Sequence, residues 1–249
     1  MNTAIPRLPE PDWRQVTALP IADNQEELVP ASLAQGRLAC YPAYYKLGIP
    51  NAVPECYVRR EVYLRLQAAA RSLPEGLTLL VLDSWRPYSV QQYLYDTLYN
   101  VIEHHWPSKS DAELEQLTRE FVSVPSTDPR APSPHLTGGS VDVTLVDDNG
   151  LMLDMGTLFD EATPASHTAA FEALDRPSPR EQEVIEHRRT LYRAMTRAGF
   201  TNLPSEWWHY DFGNQLWAWY GGHGRAHYGH TYPESLENRW RKEVDRRIG

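Results

Sequence analysis

Two stretches of the chain repeat apolar residues at spacings of three and four. The first covers 59–73 and stops at Pro74, and the second covers 89–105. This spacing collects apolar side chains on one face of a helix, whereas a strand would alternate them. Both stretches are therefore predicted to be helices whose apolar faces pack on a core.

Two further helices are indicated by their starting residues. Ser110-Asp-Ala-Glu113 and Ser178-Pro-Arg-Glu181 have the capping-box pattern, in which a serine and a glutamate three residues later satisfy free backbone amides. The second box also has proline at the first helical position, and its helix is expected to end at Gly199.

The strand pattern is found in three places. Residues 77–82 form a continuous apolar run of strand length, which is typical of a central strand covered on both faces. Residues 141–146 predict a second strand, and the Asn-Gly turn after it predicts a hairpin that returns over 151–153. Residues 206–212 predict an aromatic strand.

These elements predict an α+β fold, with a small, mainly antiparallel sheet and helices packed on it. We expect a single domain over 1–249, with an irregular N-terminal extension at about 1–39. The first 55 residues as a whole are expected to be irregular, and 154–177 is expected to be a long loop.

Composition narrows the possible partners. Lys and Arg number 24 against 33 Asp and Glu, and the formal charge of −9 repels phosphate backbones and anionic membranes. Neither nucleic acid nor a membrane is expected as a partner. Cys40 and Cys56 lie outside metal-ligand spacing and are expected to be packing residues rather than a bridge. The N-terminus lacks the apolar run of a signal peptide, so the expected location is the cytoplasm.

Two short stretches carry the residue types of a catalytic zinc site, one with His135 and Asp142 and the other with Glu206 and His209. A hydrolytic zinc ion has three protein ligands and an open position for water, whose pKa it lowers to about 7. His135, Asp142 and His209 would be the ligands. Glu206 would be the base that takes a proton from the water.

The local geometry permits this site under two conditions. A straight strand would hold His135 and Asp142 more than ~20 Å apart, so the chain has to bend at Gly138-Gly139. Glu206 is out of phase with His209 in a regular strand, so a second bend is needed near Pro204-Ser205. The residues also have a structural interpretation, in which Asp142 caps a turn and His209 is a hydrogen-bonded core histidine.

A second group of histidines competes for a metal. His223, His227 and His230 lie inside the glycine-rich segment 221–230. The glycines favour a loop over a helix, so the spacing of the three imidazoles does not by itself bring them together.

The two stretches together resemble the zinc D,D-peptidases, and in particular the VanX-type D-alanyl-D-alanine dipeptidases. The motif Ser133-x-His135-x-x-Gly138-x-x-x-Asp142 is followed, after a long interval, by Glu206-Trp-Trp-His209. Residues 40–215 or so share the resemblance, through landmarks at Tyr57-Val-Arg59, Asp83-Ser-Trp-Arg-Pro87, Val141-Asp-Val-Thr-Leu145, Met155-Gly156, Phe159-Asp160 and Arg197-Ala-Gly-Phe200.

The resemblance implies roles for individual residues. It implies one zinc ion on His135, Asp142 and His209, with Glu206 as general acid and base. It also implies that Arg86 directs its guanidinium at the oxygen that becomes negative during attack on the peptide carbonyl. The structural alternative for Arg86 is a salt bridge to Asp83 at the end of a strand.

The resemblance further implies a pocket for a dipeptide, lined by Ser133 and Asp160. Asp160 suits the substrate ammonium by charge, and Ser133 would hydrogen-bond either end of the dipeptide. Both residues have an alternative role in fixing the backbone of their own loops. Tyr44 and Tyr45 are candidates for the tyrosine that the family has near the pocket.

Three functions follow from these features. The first is hydrolysis of D-Ala-D-Ala to two D-alanines. The second is a zinc D,D-carboxypeptidase that trims longer cell-wall peptides, and the third is a non-catalytic protein that binds wall fragments. The presence of Glu206 beside three ligands argues against the third, because a binding protein has no use for a base.

Overall fold

The computed structural model describes residues 3–119 and 121–248. The α-helices are Trp13–Ala18 (α1), Ala43–Lys46 (α2), Arg60–Ser72 (α3), Tyr88–His105 (α4), Asp111–Arg119 (α5), Pro179–Arg197 (α6), Gln215–Tyr220 (α7) and Leu236–Ile248 (α8). The strands are Leu28–Pro30 (β1), Leu38–Cys40 (β2), Tyr57–Arg59 (β3), Thr78–Asp83 (β4), Ser140–Val146 (β5), Thr201–Asn202 (β6) and His209–Asp211 (β7). Short 3-10 helices lie at Pro134–Thr137, Pro164–Ser166 and Ala170–Ala173.

The strands form one sheet of five and one of two. The larger sheet has the order β2-β4-β5-β7-β6, in which β2 pairs with β4 in parallel and the other pairs are antiparallel. The smaller sheet joins β1 to β3 in antiparallel fashion. The predicted α+β fold with a small, mainly antiparallel sheet is confirmed.

The main core lies between the large sheet and helices α3 and α6. All seven residues of β5 are buried, as the central position of this strand requires. Val62, Leu66 and Ala69 form the buried face of α3, at the spacing of three and four that predicted the helix. Leu191 and Met195 of α6 pack into the same cluster.

The predicted helices agree with the structure. The stretch 59–73 is α3, and 89–105 is α4 with a start one residue earlier. At α6 the capping box is complete, because Ser178 and Glu181 each accept a hydrogen bond from the other's backbone amide. At α5 the box is half formed, since the Ser110 hydroxyl donates to the Glu113 carboxylate instead of accepting from a backbone amide.

The hairpin after β5 is present as a short return. The Asp147 amide donates to the Leu151 carbonyl and the Leu153 amide donates to the Leu145 carbonyl, each at 2.9 Å.

The predicted strand 206–212 is wrong over its first half. Only His209–Asp211 is extended, and the three residues before it form a turn. The turn is closed by the His209 amide, which donates to the Glu206 carbonyl at 3.3 Å. Trp207 and Trp208 are both buried, 3% exposed each, so neither points to solvent as a regular strand at the surface would require.

The N-terminal segment is more regular than the sequence predicted. It contains α1, β1, β2 and α2, and it packs on the main body. The Ala22 amide donates to the Ala226 carbonyl at 2.9 Å, and Gln215 donates to the carbonyl of Leu19 at 2.7 Å. The expected long loop 154–177 contains two 3-10 turns.

Cys40 and Cys56 are both free, as predicted. Among residues 3–119 and 121–248, no helix combines the length and the apolar character that crossing a lipid bilayer requires.

Candidate active site

Strand register brings the acidic and histidine side chains together at one end of the sheet. Asp142 of β5 lies opposite His209 of β7 and also opposite Asp83 of β4. Residues directly opposite on paired strands have Cβ atoms about 5 Å apart, so three neighbouring strands present Asp83, Asp142 and His209 in a row. This cross-strand row is the frame of the site.

His135 reaches the same place through the bend that the sequence predicted. It lies in the 3-10 helix that precedes β5, and this helix ends at Gly138, which has φ of 70°. Glycine suits this position because a left-handed conformation is strained for any residue with a Cβ. The turn places the His135 ring against the His209 ring, with centroids 4.9 Å apart.

Three ligand atoms form a compact triangle. His135 Nε2 lies 3.2 Å from His209 Nδ1 and 3.5 Å from Asp142 Oδ1, and His209 Nδ1 lies 3.1 Å from the same oxygen. Tetrahedral zinc with bonds of about 2.0–2.1 Å separates its ligands by about 3.3 Å. All three residues are buried, at 1–4% exposure. The donor set and its spacing therefore fit a single metal ion.

The outer hydrogen bonds fix both imidazoles in the form that a metal needs. His135 Nδ1 lies 2.7 Å from the Ser84 carbonyl, which can only accept, so this nitrogen carries the hydrogen and Nε2 has the free lone pair. His209 Nε2 lies 3.1 Å from Asp211 Oδ2, which likewise leaves Nδ1 free. Both free nitrogens belong to the triangle.

Asp211 is itself held rigidly. It is fully buried, and its Oδ1 accepts hydrogen bonds of 2.6 Å from both the Ser140 hydroxyl and the Asn214 amide. Burial raises the pKa of Asp211, but His209 and these donors outweigh burial and keep the pKa low. The residue is thus a charged, oriented partner for His209.

The electrostatics of the triangle favour a cation. Burial opposes the charge on Asp142, but His135 and His209 more than offset it and hold the pKa of Asp142 far below its usual range. Burial lowers the pKa of His209, while Asp211 and Asp142 raise it well above its usual value. A positive charge is therefore stabilised between these carboxylates, and a metal ion would displace a proton from His209.

Glu206 lies beside the triangle without belonging to it. Two turns, closed by Glu206 amide to Leu203 carbonyl and His209 amide to Glu206 carbonyl, correct its phase, and Asn202 donates to the carbonyls at both ends of the second turn. Its Oε2 lies 3.7 Å from His209 Nδ1, and the side chain is 22% exposed.

The position of Glu206 gives it an unusual acidity. Burial raises its pKa to about 8, although His209 lowers it. A cation in the triangle would lower this pKa toward neutrality, because a positive charge favours the carboxylate.

Arg86 makes the salt bridge to Asp83 that the sequence offered as its structural role, and its guanidinium also lines the pocket. Its Nε pairs with Asp83 Oδ2 at 2.8 Å, while Nη2 lies 3.2 Å from Asp142 Oδ2. Nη1 donates to Gln91 Oε1 at 2.7 Å. Burial opposes the charge, yet the pKa of Arg86 is raised because Tyr44 and three carboxylates surround it. The salt bridge to Asp83 thus holds the guanidinium where it lines the pocket.

Asp160 and Tyr44 form another part of the pocket wall. The Tyr44 hydroxyl donates to Asp160 Oδ2 at 3.1 Å, whereas Tyr45 is 46% exposed and does not line the pocket. The walls around Asp160 remove water from its carboxylate and raise its pKa to about 6, although the residue as a whole is exposed. Asp160 has φ of 63°, a left-handed conformation that is uncommon for a residue with a side chain.

Ser133 lies in a different environment from the other predicted site residues. Its hydroxyl accepts from the Ser126 amide at 2.8 Å and faces the Ser126 carbonyl at 3.3 Å. It lines a surface depression that also includes Trp13. Pro134 lines both this depression and the catalytic pocket. The hydroxyl therefore closes the loop that precedes His135.

Several residues of the site were not selected from the sequence. Asp211 lies two residues after His209, so alternation along a strand puts both on one face, but the hydrogen bond between them depends on the orientation of the His209 ring. Gln91 bridges Arg86 and the Ser123 carbonyl, to which its amide donates at 2.8 Å, and nothing in its sequence position signals this contact.

The competing histidines take part in ring packing. His223 stacks on Trp217 with centroids 3.8 Å apart, and His227 meets the same indole edge-on at 5.0 Å. In the part of the chain that the structure describes, the group able to hold a metal is His135, Asp142 and His209.

Comparisons with known proteins identify the family of the chain. The sequence profile of the peptidase M15 family, described as D-ala-D-ala dipeptidase, matches residues 45–235. A D-alanyl-D-alanine dipeptidase of Synechocystis sp. is 32% identical over 218 residues, which are 81% of this chain and 88% of the relative. A D-alanyl-D-alanine dipeptidase of Escherichia coli is 30% identical over 136 residues, 55% of each chain.

A solved structure of VanYB in complex with D-Alanine-D-Alanine aligns with 81% of this chain and 91% of that chain, with 17% identity and a TM-score of 0.40. The resemblance seen in the motifs is confirmed by the match over 45–235 and by the identity over 81% of the chain, and the chain belongs to the peptidase M15 family of D-Ala-D-Ala dipeptidases.

Proposed function

We propose that the protein is a zinc dipeptidase that hydrolyses D-Ala-D-Ala to two D-alanines. The observation that carries this proposal is the buried triangle of His135 Nε2, Asp142 Oδ1 and His209 Nδ1, with the Glu206 carboxylate beside it and not within it. Three ligands and a separate base are what hydrolysis by activated water requires. Membership of a dipeptidase family supports the choice of substrate.

We assign one Zn²⁺ per chain to His135, Asp142 and His209. Two imidazoles and a carboxylate form a ligand set typical of catalytic zinc, and the outer contacts to Asp211 and the Ser84 carbonyl orient the rings. When bound, the ion supplies acidification of a water molecule and polarisation of the scissile carbonyl.

Glu206 moves the proton. Its carboxylate takes a proton from the attacking water and then gives that proton to the amine that leaves when the peptide bond breaks. The net reaction adds one water across the peptide bond and leaves Glu206 as it began. The Asn202 contacts to both ends of its turn hold the backbone from which the Glu206 side chain projects.

Arg86 stabilises the charge that develops on the carbonyl oxygen. Its guanidinium is 8% exposed and oriented by Asp83 and Gln91, so little reorganisation is needed when the negative charge appears. A preorganised cation interacts more strongly with the charged transition state than with the neutral carbonyl, which is the condition for a rate gain.

Asp160 binds the free ammonium of the dipeptide, with Tyr44 holding its carboxylate. Ser133 contributes to the substrate pocket through the 126–133 loop contact rather than through an exposed hydroxyl. With Asp160 at one end and Glu206 at the scissile bond, the pocket selects a free amino terminus one residue from the cleaved bond.

The test is an assay of the purified protein on D-Ala-D-Ala, L-Ala-L-Ala and a pentapeptide ending in D-Ala-D-Ala, with and without a chelator. We expect chelator-sensitive hydrolysis of D-Ala-D-Ala. Turnover of the pentapeptide alone would replace the dipeptidase by a D,D-carboxypeptidase, and binding without turnover of any of the three would support a non-catalytic protein.

A further inference from the structure

An apolar groove adjoins the catalytic pocket. The catalytic pocket itself has a volume of about 30 Å³. The groove has a volume of about 270 Å³. Its apolar wall comes from Leu94, Leu98 and Val101 of α4, together with Ile49, Phe121 and Val122. The groove thus adds a larger, mostly apolar space beside the catalytic pocket.

The groove is continuous with the catalytic pocket through residues that both share. Asp160, Glu206 and Trp208 line both spaces, as do three of the apolar residues. The groove therefore opens between the carboxylate assigned to the substrate ammonium and the carboxylate assigned to the scissile bond.

The connectivity of a dipeptide determines what lies at that opening. The ammonium nitrogen and the scissile carbonyl carbon are both bonded to the Cα of the first residue. A space flanked by the partners of both groups consequently lies beside this Cα and receives the side chain that the Cα carries. The second residue lies beyond the scissile bond.

Building on the proposed function, we propose that the groove is a specificity subsite for the side chain of the amino-terminal residue. The substrates are then D-dipeptides with a large apolar first residue and D-alanine second, in addition to D-Ala-D-Ala. Apolar walls stabilise an aliphatic or aromatic side chain by removing it from water. A longer peptide is a poorer occupant, because its first groove contact would place a neutral amide against the Asp160 carboxylate.

Thr97 offers a way to fill the groove without touching the catalytic residues. It lies on α4, is exposed and lines the groove. Thr97→Trp places an indole in the space, whereas Asn100→Trp adds the same side chain to an exposed position of α4 that is outside the groove lining. The pair separates blockage of the groove from general effects of a surface tryptophan.

The experiment measures kcat/KM of the zinc-loaded protein for D-Ala-D-Ala, D-Leu-D-Ala, D-Ala-D-Leu and N-acetyl-D-Ala-D-Ala. We expect D-Leu-D-Ala to exceed D-Ala-D-Leu by about tenfold or more, because each methylene in a matched apolar site is worth about tenfold. Thr97→Trp should lower the ratio of kcat/KM for D-Leu-D-Ala to that for D-Ala-D-Ala by about tenfold, and Asn100→Trp should leave both values unchanged.

The outcomes separate this inference from the proposed function. Hydrolysis of D-Ala-D-Ala with no preference for D-Leu-D-Ala over D-Ala-D-Leu overturns the subsite and leaves the dipeptidase intact. Preferred hydrolysis of the acetylated dipeptide, blocked by Thr97→Trp, assigns the groove to a longer peptide and also overturns it. Failure to hydrolyse any of the four overturns the proposed function and the subsite with it.

Discussion

Replacing Glu206 by glutamine removes the general base and leaves the three ligand atoms in place. The side chain is 22% exposed and its Oε2 lies 3.7 Å from His209 Nδ1, outside the triangle. An amide of the same size fits this position, but it cannot take a proton from water. Loss of a general base costs about 10² to 10⁴ in rate, which corresponds to about 3–5 kcal/mol of barrier at 1.36 kcal/mol per factor of ten.

The assay for this variant has two readouts. Steady-state hydrolysis of D-Ala-D-Ala gives kcat, and elemental analysis gives zinc per chain, which we expect to stay at the parent value. Glu183→Gln on the exposed side of α6 makes the same chemical change away from the site and should leave both readouts unchanged. A Glu206→Gln protein with near-parent kcat would refute the role as base, and one that loses zinc would make Glu206 a ligand.

Three further changes test other parts of the site. Arg86→Lys loses the planar, oriented guanidinium and should lower kcat by about 10² to 10³, with little change in zinc content, as measured by steady-state kinetics. The pKa of Asp160 is raised to about 6, so its carboxylate takes a proton as pH falls through 6, and KM for the dipeptide should rise there. Asp160→Asn should have a high KM at every pH. A pH profile of KM in this variant that matches the parent would contradict ammonium binding. Asp211→Asn weakens the orientation of His209 and should reduce zinc affinity by about 10 to 100-fold in competition with a chelator, whereas unchanged affinity would contradict the role of the Asp211 carboxylate in orienting the ring.

Local patterns were sufficient for the elements whose burial repeats regularly. Helix α3 and strands β4 and β5 each have one buried face or two, and the residue pattern records it directly. Helix α4 has the same spacing, but the expectation that its apolar face packs on a core is wrong, because its buried residues are Val90, Gln91 and Ile102 and Val101 is 60% exposed. The bend at Gly138 could be predicted because two ligands had to meet across it and glycine permits φ of 70°. The sequence therefore predicts an element where the residue pattern corresponds to burial, and a bend where glycine is required for the backbone conformation.

The region before His209 shows why other elements could not be predicted. Trp207 and Trp208 are both apolar and both buried, so alternation along a strand gave a plausible but wrong account. The turn that replaces the strand depends on Asn202, which donates to two carbonyls from a neighbouring strand. Such a contact depends on tertiary structure and has no counterpart in the periodicity of the sequence.

The outer contacts of the candidate site were invisible for a related reason. The Ser84 group that orients His135 is a backbone carbonyl. Every residue has a backbone carbonyl, so this hydrogen bond cannot be predicted from the residue type. Gln91 reaches Arg86 across the start of α4, and its use depends on the direction of a buried guanidinium. Ligand types can be predicted from a sequence, whereas the partners that orient them depend on tertiary geometry.

Crystals of the zinc-loaded protein, measured at the zinc absorption edge, test the central assignment most directly. We expect one anomalous peak about 2.0–2.2 Å from His135 Nε2, Asp142 Oδ1 and His209 Nδ1, with Glu206 close to the ion but not bound to it. A peak in the His223 and His227 loop, or an ion bound by Glu206 in place of Asp142, would contradict it.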